Sequence, residues 1–537
     1  MAAVGPTRAV LPVILIRGFG GLGVEDEKRI AYQGFNDGTV YPYKRGENYI
    51  YEGMILRFLK SDWEYQDGTN VVGYYGRPVT TRPAEIPPEL KPLEELGFFY
   101  GEESDHRVVI DVAMAKYLLD HSPDIRKSLW VFRYYDLNDR NFPAYGDALM
   151  RLIDLVQALA AIKHQPPPRV NIVAHSMGGL LVREAIQSTY PRSGRRAEEF
   201  INKVVTLGTP HRGITFQLLR DLWLNLDAEK EIESFNEDFQ KDESEETAYG
   251  NLHKYFPLDR FLTVVGTNYK TYGSGLSSLA NRLFSIGGEY GPNYNRSDGL
   301  VKQTNAQIPG APRTFVHKCH GGVDSLVTSR EAFEIATRFF FGNVRARLRL
   351  VSARITRGKD FFGKSEFFFG VGIKPRYVDF ELFHQSAEAE NCYGPFNRDD
   401  LSEERPAFGW AGPDRLIWEG YLDTRQILAD ETRKVKDLVL RLDIYVGERD
   451  LLGVGFSDNV VFREQYYVRA LLEPKLQLEL HSDERFARDP ADHGSIMTAA
   501  DGGWEFDVGG NGFVGRFRIE LDTVPEEGEP TSISPGD

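Results

Sequence analysis

One stretch, VNIVAHSMGGLLVREAI at 170–186, constrains this chain more than any other. It opens with an apolar run dense enough for a buried strand and continues, after the serine, with helical spacing. Between the two there is room only for a sharp turn, Ala174-His175-Ser176-Met177-Gly178. A strand that feeds a helix so abruptly belongs to a βα unit, and such units stack into a parallel sheet with helices on both faces. A residue at the apex of that turn sits in strained backbone, so the residues two positions away must be small. Here they are Ala174 and Gly178. The turn lifts the Ser176 hydroxyl clear of the sheet, and the helix N-terminus aims its dipole and free N–H groups at the same place.

Other segments up to residue 342 repeat this alternation. VILI (13–16), LWVF (129–132), VNIVA (170–174), KVVTL (203–207), FLTVV (261–265) and TFV (314–316) read as buried strands. Residues 144–163, 177–189 and 329–341 read as helices. Two long insertions interrupt the series. Residues 24–105 hold nine tyrosines, Trp63 and four phenylalanines, and form either a surface subdomain or a wall of the site. In 212–258 an amphipathic stretch with Phe216, Leu218, Leu219, Leu222, Trp223 and Leu226 is followed by a solvated acidic run. It suits a lid, and equally a fixed core helix.

After Gly342 the texture changes. VRARLRL (344–350) alternates apolar and charged residues and then shifts phase at Val351, as a β-bulge does. DLVLRLDIYV (437–446), KLQLEL (475–480), WEFDV (504–508) and GRFRIEL (515–521) alternate likewise, which predicts an antiparallel β-sandwich. The expected organisation is therefore an α/β domain over 1–342, a sandwich over 343–523 and a disordered tail over 524–537.

A chain of 537 residues with a 41% hydrophobic fraction has ample material for these cores. Its formal net charge of −15 argues against nucleic acid as a partner. Cys319 and Cys392 allow at most one bridge. The apolar run Leu11–Ile16 is too short for a signal-peptide core, and no stretch approaches the roughly 20 apolar residues of a membrane span. A cytoplasmic location is expected, with signal-independent export left open.

AHSMGG (174–179), with IRGFGG (16–21), VVTLGTPHRG (204–213) and SDGLV (297–301), resembles the lipase/esterase branch of the α/β-hydrolases, bacterial lipases and related deacylases in particular. The resemblance covers about residues 11–342. It implies a doubly wound, mostly parallel sheet, a nucleophile at Ser176, and an oxyanion hole built from the amides of Met177 and Phe19. Two departures stand out: Ala174 replaces the commoner Gly of the turn, and Arg17 replaces the His that usually precedes the oxyanion-loop glycine.

A serine needs a base, and the base needs a carboxylate; this fold orders them Ser, acid, His. His320 is the favoured base, because it follows the last strand in FVHKCHGGVDSL; His317 is the alternative. Asp298 is the favoured acid, although the same residue could simply make an Asx turn before Gly299. Asp324 follows the histidine and Asp136 precedes the serine. His211 and His175 read as structural. No metal-ligand spacing occurs, and Asp360, Gly363 and Ser365 only faintly resemble a calcium loop.

The resemblance thus implies a carboxylic-ester hydrolase acting through an acyl-enzyme, without a cofactor. An acyltransferase or phospholipase would use the same residues. A non-catalytic binding protein working through its sandwich is the reading from another class. The expected partner is an acyl ester or lipid, with transient contact to a lipid surface; the oligomeric state stays open.

Overall fold

A computed structural model describes residues 10–18, 52–102, 104–137, 141–213, 252–268, 297–321, 324–356, 365–376, 380–386, 389, 391–396, 398, 415–424, 437–449, 459–471, 475–483, 485, 491–500, 502–524 and 531–533. The lid candidate at 214–251, most of the insertion's first half, Phe19, Trp223, Asp360 and Gly363 lie outside them.

The first sheet is built from β1 (Val13–Ile16), β2 (Gln66–Asp67), β5 (Ser128–Phe132), β6 (Val170–His175), β7 (Ile201–Leu207), β8 (Phe261–Gly266) and β9 (Arg313–Val316). Their order is β2-β5-β1-β6-β7-β8-β9, and every pairing is parallel. Side chains alternate across a strand, and both faces of this sheet are covered. Val13 and Leu15 pack with Phe58 of α1 (Glu52–Leu59) and Phe333 of α5 (Arg330–Phe341). Ile14 and Ile16 face the other way, onto α2 (Val112–His121), α3 (Phe142–Ile162) and α4 (Met177–Glu184). Double burial explains why these strands read as unbroken apolar runs rather than as alternation. The chain moves outward from β1 to β2, returns through β5, and continues on the other side from β6. The order therefore reverses beside β1, and open sheets of this kind place their sites at such a reversal, beyond the carboxyl ends of the strands. The loop after β1 and the turn after β6 meet there.

Three α-helices start on side-chain caps from residues the sequence sets just before them: Asp111 accepts from the Met114 amide, Asn141 from the Ala144 amide and Ser329 from the Ala332 amide. Helix α4 runs on through a π-helical stretch, Ala185–Thr189. The aromatic insertion, where described, joins the main core. It contributes β2 at the sheet edge, β3 (Val72–Tyr74), which pairs with β4 (Val108–Ile110) just beyond it, and Trp63 packed 4.8 Å from the Phe341 ring.

Residues beyond 342 form two antiparallel sheets. One contains β10 (Val344–Ile355), β14 (Leu416–Leu422), β19 (Thr498–Ala500), β20 (Gly503–Gly510), β21 (Phe513–Thr523) and β22 (Thr531–Ile533). The other contains β11 (Glu366–Pro375), β12 (Phe383–His384), β13 (Tyr393–Phe396), β15 (Asp437–Arg449), β16 (Asn459–Leu471), β17 (Gln477–His481) and β18 (Ser495–Ile496). The register of β10 against β21 shifts between Leu350 and Ser352, at the phase change seen in sequence. The tail departs from the expectation of disorder at β22, which pairs with Leu521–Thr523. Strand β20 begins at Gly503 and its register against β21 starts at Trp504 opposite Ile519, so the β21 backbone beyond is open to another strand, and Thr531 and Ile533 are β-branched.

The two halves share apolar packing. Phe315 on β9 meets Phe383 at 5.5 Å, and Phe339 on α5 meets Tyr421 edge-on at 4.9 Å. Thr314 Oγ1 donates to the Leu382 carbonyl at 2.7 Å. Inside the sandwich a cavity of about 90 Å³ lies among Ala346, Trp418, Leu442, Ala470 and Leu478.

Candidate active site

Strand β6 ends at His175 and α4 begins at Met177, which leaves Ser176 alone in the turn. Its backbone has φ 52° and ψ −127°. Positive φ is uncommon for a residue with a Cβ, and it persists where surrounding structure over-determines it. The surroundings do so here: the Ser176 amide donates to the Leu207 carbonyl of β7, and its carbonyl accepts from Gly179.

The Ser176 hydroxyl points at a histidine that arrives from the far edge of the sheet. His320 follows β9, and its Nε2 lies 2.8 Å from Ser176 Oγ. Its Nδ1 lies 2.8 Å from Asp298 Oδ2. A carboxylate only accepts, so Nδ1 carries the proton, and Nε2 is left to accept from the serine. All three side chains are buried. Asp298 uses its second oxygen differently: Oδ1 accepts from the amides of Val301 at 2.8 Å and Leu300 at 3.1 Å. The Asx turn and the carboxylate partner of histidine are therefore the same residue, with one oxygen for each task.

The alternatives sit elsewhere. His317 Nδ1 lies 3.2 Å from Thr267 Oγ1, and its ring stacks on His384 of the second half at 5.4 Å. Asp324 accepts from Lys318 Nζ at 2.7 Å, and Asp136 pairs with Arg133. His211 is fully buried, with Nε2 3.0 Å from Thr206 Oγ1 and its carbonyl accepting from Arg183. Burial foremost, and then the charge of Arg183, hold its imidazole well below the usual range.

Close approach explains glycine at Gly18 and Gly208, among others. A Cβ on Gly18 would lie 2.6 Å from the Ser176 Cβ. Gly208, at φ 57°, would place one 2.7 Å from Asp298 Oδ2 and 3.1 Å from His320 Nδ1. That contact gives the Leu207-Gly208-Thr209-Pro210 segment a physical reason that spacing alone does not reveal. Tyr134 was also missed in sequence. Its hydroxyl is 3.2 Å from the Gly18 carbonyl and 3.3 Å from that of Arg17, the backbone just before Phe19. Met177 opens α4, where helix amides lack partners within the helix.

Both cysteines are free thiols. Burial, followed by the charge of Asp324, pushes Cys319 up to about 11. Among the described residues no cluster of His, Cys, Asp or Glu could hold a metal ion, and no helix is long and apolar enough to cross a membrane.

The family model of a PGAP1-like alpha/beta domain matches residues 117–253, from α2 through the Ser176 turn and β7. The fold is that of an α/β-hydrolase. Among solved structures, the chain is similar to the mature lipase BlEst2 of Bacillus licheniformis, at 14% identity and TM-score 0.30, covering 61% of this chain and 90% of that one. A Listeria innocua gene product, lin2722, has 13% identity and TM-score 0.27, covering 62% and 93%. Phospholipase PlaB of Legionella pneumophila has 12% identity and TM-score 0.26, covering 88% and 90%. No curated protein matches the sequence.

Proposed function

We propose that this α/β-hydrolase cleaves carboxylic esters through an acyl-enzyme on Ser176. One observation carries the reading: the hydrogen-bonded line from Ser176 Oγ through His320 to Asp298 Oδ2. Serine is a weak nucleophile until a base takes its proton, and the tautomer fixed by Asp298 leaves His320 Nε2 free to do so.

Ser176 Oγ attacks the ester carbonyl carbon while its proton passes to His320 Nε2. The imidazolium is stabilised by Asp298, which stays ionised. The carbonyl oxygen becomes an oxyanion, which we assign to the amides of Met177 and Phe19. When the intermediate collapses, the C–O bond to the alcohol breaks and His320 gives its proton to the departing oxygen. A water then attacks the acyl-enzyme and gives a proton to His320; the bond from the acyl carbon to Ser176 Oγ breaks, His320 returns the proton to Oγ, and the carboxylic acid leaves. No step needs a cofactor. We further propose that 1–342 is the catalytic unit and that 343–523 supports it from the side of β9.

Ser176→Ala tests the reading. We expect a panel of acyl esters to be hydrolysed by the wild type, with the rate falling on the order of 10⁴-fold in the variant. A fluorophosphonate probe should label only the wild type. Retention of more than a tenth of the activity by a folded variant refutes the assignment.

A further inference from the structure

We propose that His175 is a positioning residue: its imidazole fixes the backbone of His320 so that the His320 ring meets Ser176. The proposal rests on the reading of Ser176, His320 and Asp298 above.

Neighbouring residues in a turn usually point apart, and His175 closes β6 one residue before the serine. Its side chain nonetheless reaches the same loop that the serine does. His175 Nε2 lies 2.9 Å from the carbonyl oxygen of His320. A carbonyl only accepts, so Nε2 carries a proton and donates it. On the other side of the same residue, the His320 amide donates to the Asp298 carbonyl at 2.8 Å. Both backbone groups of His320 are thus tied down, the amide to the residue whose carboxylate its ring binds, the carbonyl to the residue beside the nucleophile.

The ring is also a wall. Its centroid is 4.8 Å from that of His320, with the planes tilted by 44°. A Cβ on Gly18 would come within 3.0 Å of His175 Nδ1. One imidazole therefore touches three segments that must keep register: the turn after β6, the loop after β9 and the loop after β1.

Histidine suits this place better than its substitutes. An apolar residue would leave a buried carbonyl without its donor. A lysine or arginine would set a permanent positive charge against a ring that becomes positive when it takes the serine proton. Burial first, and the charge of His320 second, keep His175 well below the ordinary histidine range, so it donates while neutral.

The test uses the full chain with His175→Gln and His175→Phe. Glutamine sets an amide N–H near the place of Nε2; phenylalanine keeps a ring without a donor. Misplacement of a reacting group by about 1 Å can cost about 10²-fold, so we expect His175→Phe to lower kcat about 10- to 100-fold. KM should stay within about twofold, since the substrate is not touched, and His175→Gln should keep kcat within about fivefold of wild type. Thermal midpoints on the same samples identify an unfolded variant; if His175→Phe does not fold, His175→Met, which has similar length and no donor, takes its place. Equal impairment of the glutamine variant and the donorless variant overturns the proposal, as does an unchanged kcat in the latter. If the wild type reacts with ester and fluorophosphonate, either result overturns this proposal alone. A wild type inert to both overturns the proposed function and this inference with it.

Discussion

The parallel sheet and the antiparallel sheets of this molecule bury apolar faces equally well, yet they leave different things at their ends. Parallel strands must be rejoined by crossover segments, so every strand of the first sheet ends in a loop on the same side. Ser176, Gly208 and His320 all lie in such loops, after β6, β7 and β9. The antiparallel sheets turn back on themselves, and their polar side chains pair along the strands instead. Arg345, Arg347 and Arg349 of β10 face Asp522 and Glu520 of β21, with N–O distances of 2.7 to 3.1 Å. The first sheet brings side chains from separate loops together at Ser176, whereas these ion pairs run side by side along neighbouring strands. Substitutions in the first half should therefore act on rate, and those in the second on stability.

The largest effect that would uphold this contrast is at His320. His320→Ala should lower kcat on the order of 10⁴-fold, and adding Ser176→Ala should make it no worse, because members of one catalytic unit are not additive. Additive losses, measured by single-turnover kinetics, would break the unit apart. Gly208→Ala comes next. Its new Cβ would press on Asp298 and His320 from 2.7 and 3.1 Å, so we expect a loss of about 10²-fold in kcat. Normal kinetics in that variant would show that the loop after β7 yields. His317→Ala should cost less than about tenfold, for His317 braces the loop against Thr267 and His384 and lies away from Ser176. Inactivity there would move the base to His317. Leu442→Ala, in the cavity-lined sandwich core, should leave kcat unchanged and cost about 2–5 kcal/mol in denaturant unfolding. A drop in kcat at temperatures where that variant is folded would mean that the second half tunes the first.

The strands of the parallel sheet were legible because double burial leaves runs such as VILI and VNIVA with nothing else to be. Alternation likewise exposed β10, β15, β17, β20 and β21. It failed for β11, whose EFFFGVGIKP is apolar on both faces and buried over most of its length. It failed for β16 as well, where the first half reaches the core at Phe462 and is otherwise largely exposed, and where the buried residues of the second half, Val468 to Ala470, are consecutive. Strand β2 is two residues long and has no periodicity to read. Ser176, Asp298 and His320, whose side chains the fold brings into hydrogen-bond contact, each stand in a short motif that chain order makes legible. Tyr134 reaches Gly18 across 116 residues, and the His175 ring reaches His320 across 145. No local spacing encodes such contacts; they exist only once the sheet is assembled.

The backbone of Ser176, with φ at 52°, sets selection for durability against selection for chemistry at a single codon. Holding a side chain in such a conformation costs about 1–3 kcal/mol, against a typical net stability of about 5–15 kcal/mol. Glycine at this position would release that strain and remove the hydroxyl in one substitution. A lineage screened only for heat resistance would drift toward that change, gaining a sturdier protein and losing the nucleophile. On the proposed function, serine at this position trades some robustness for reactivity.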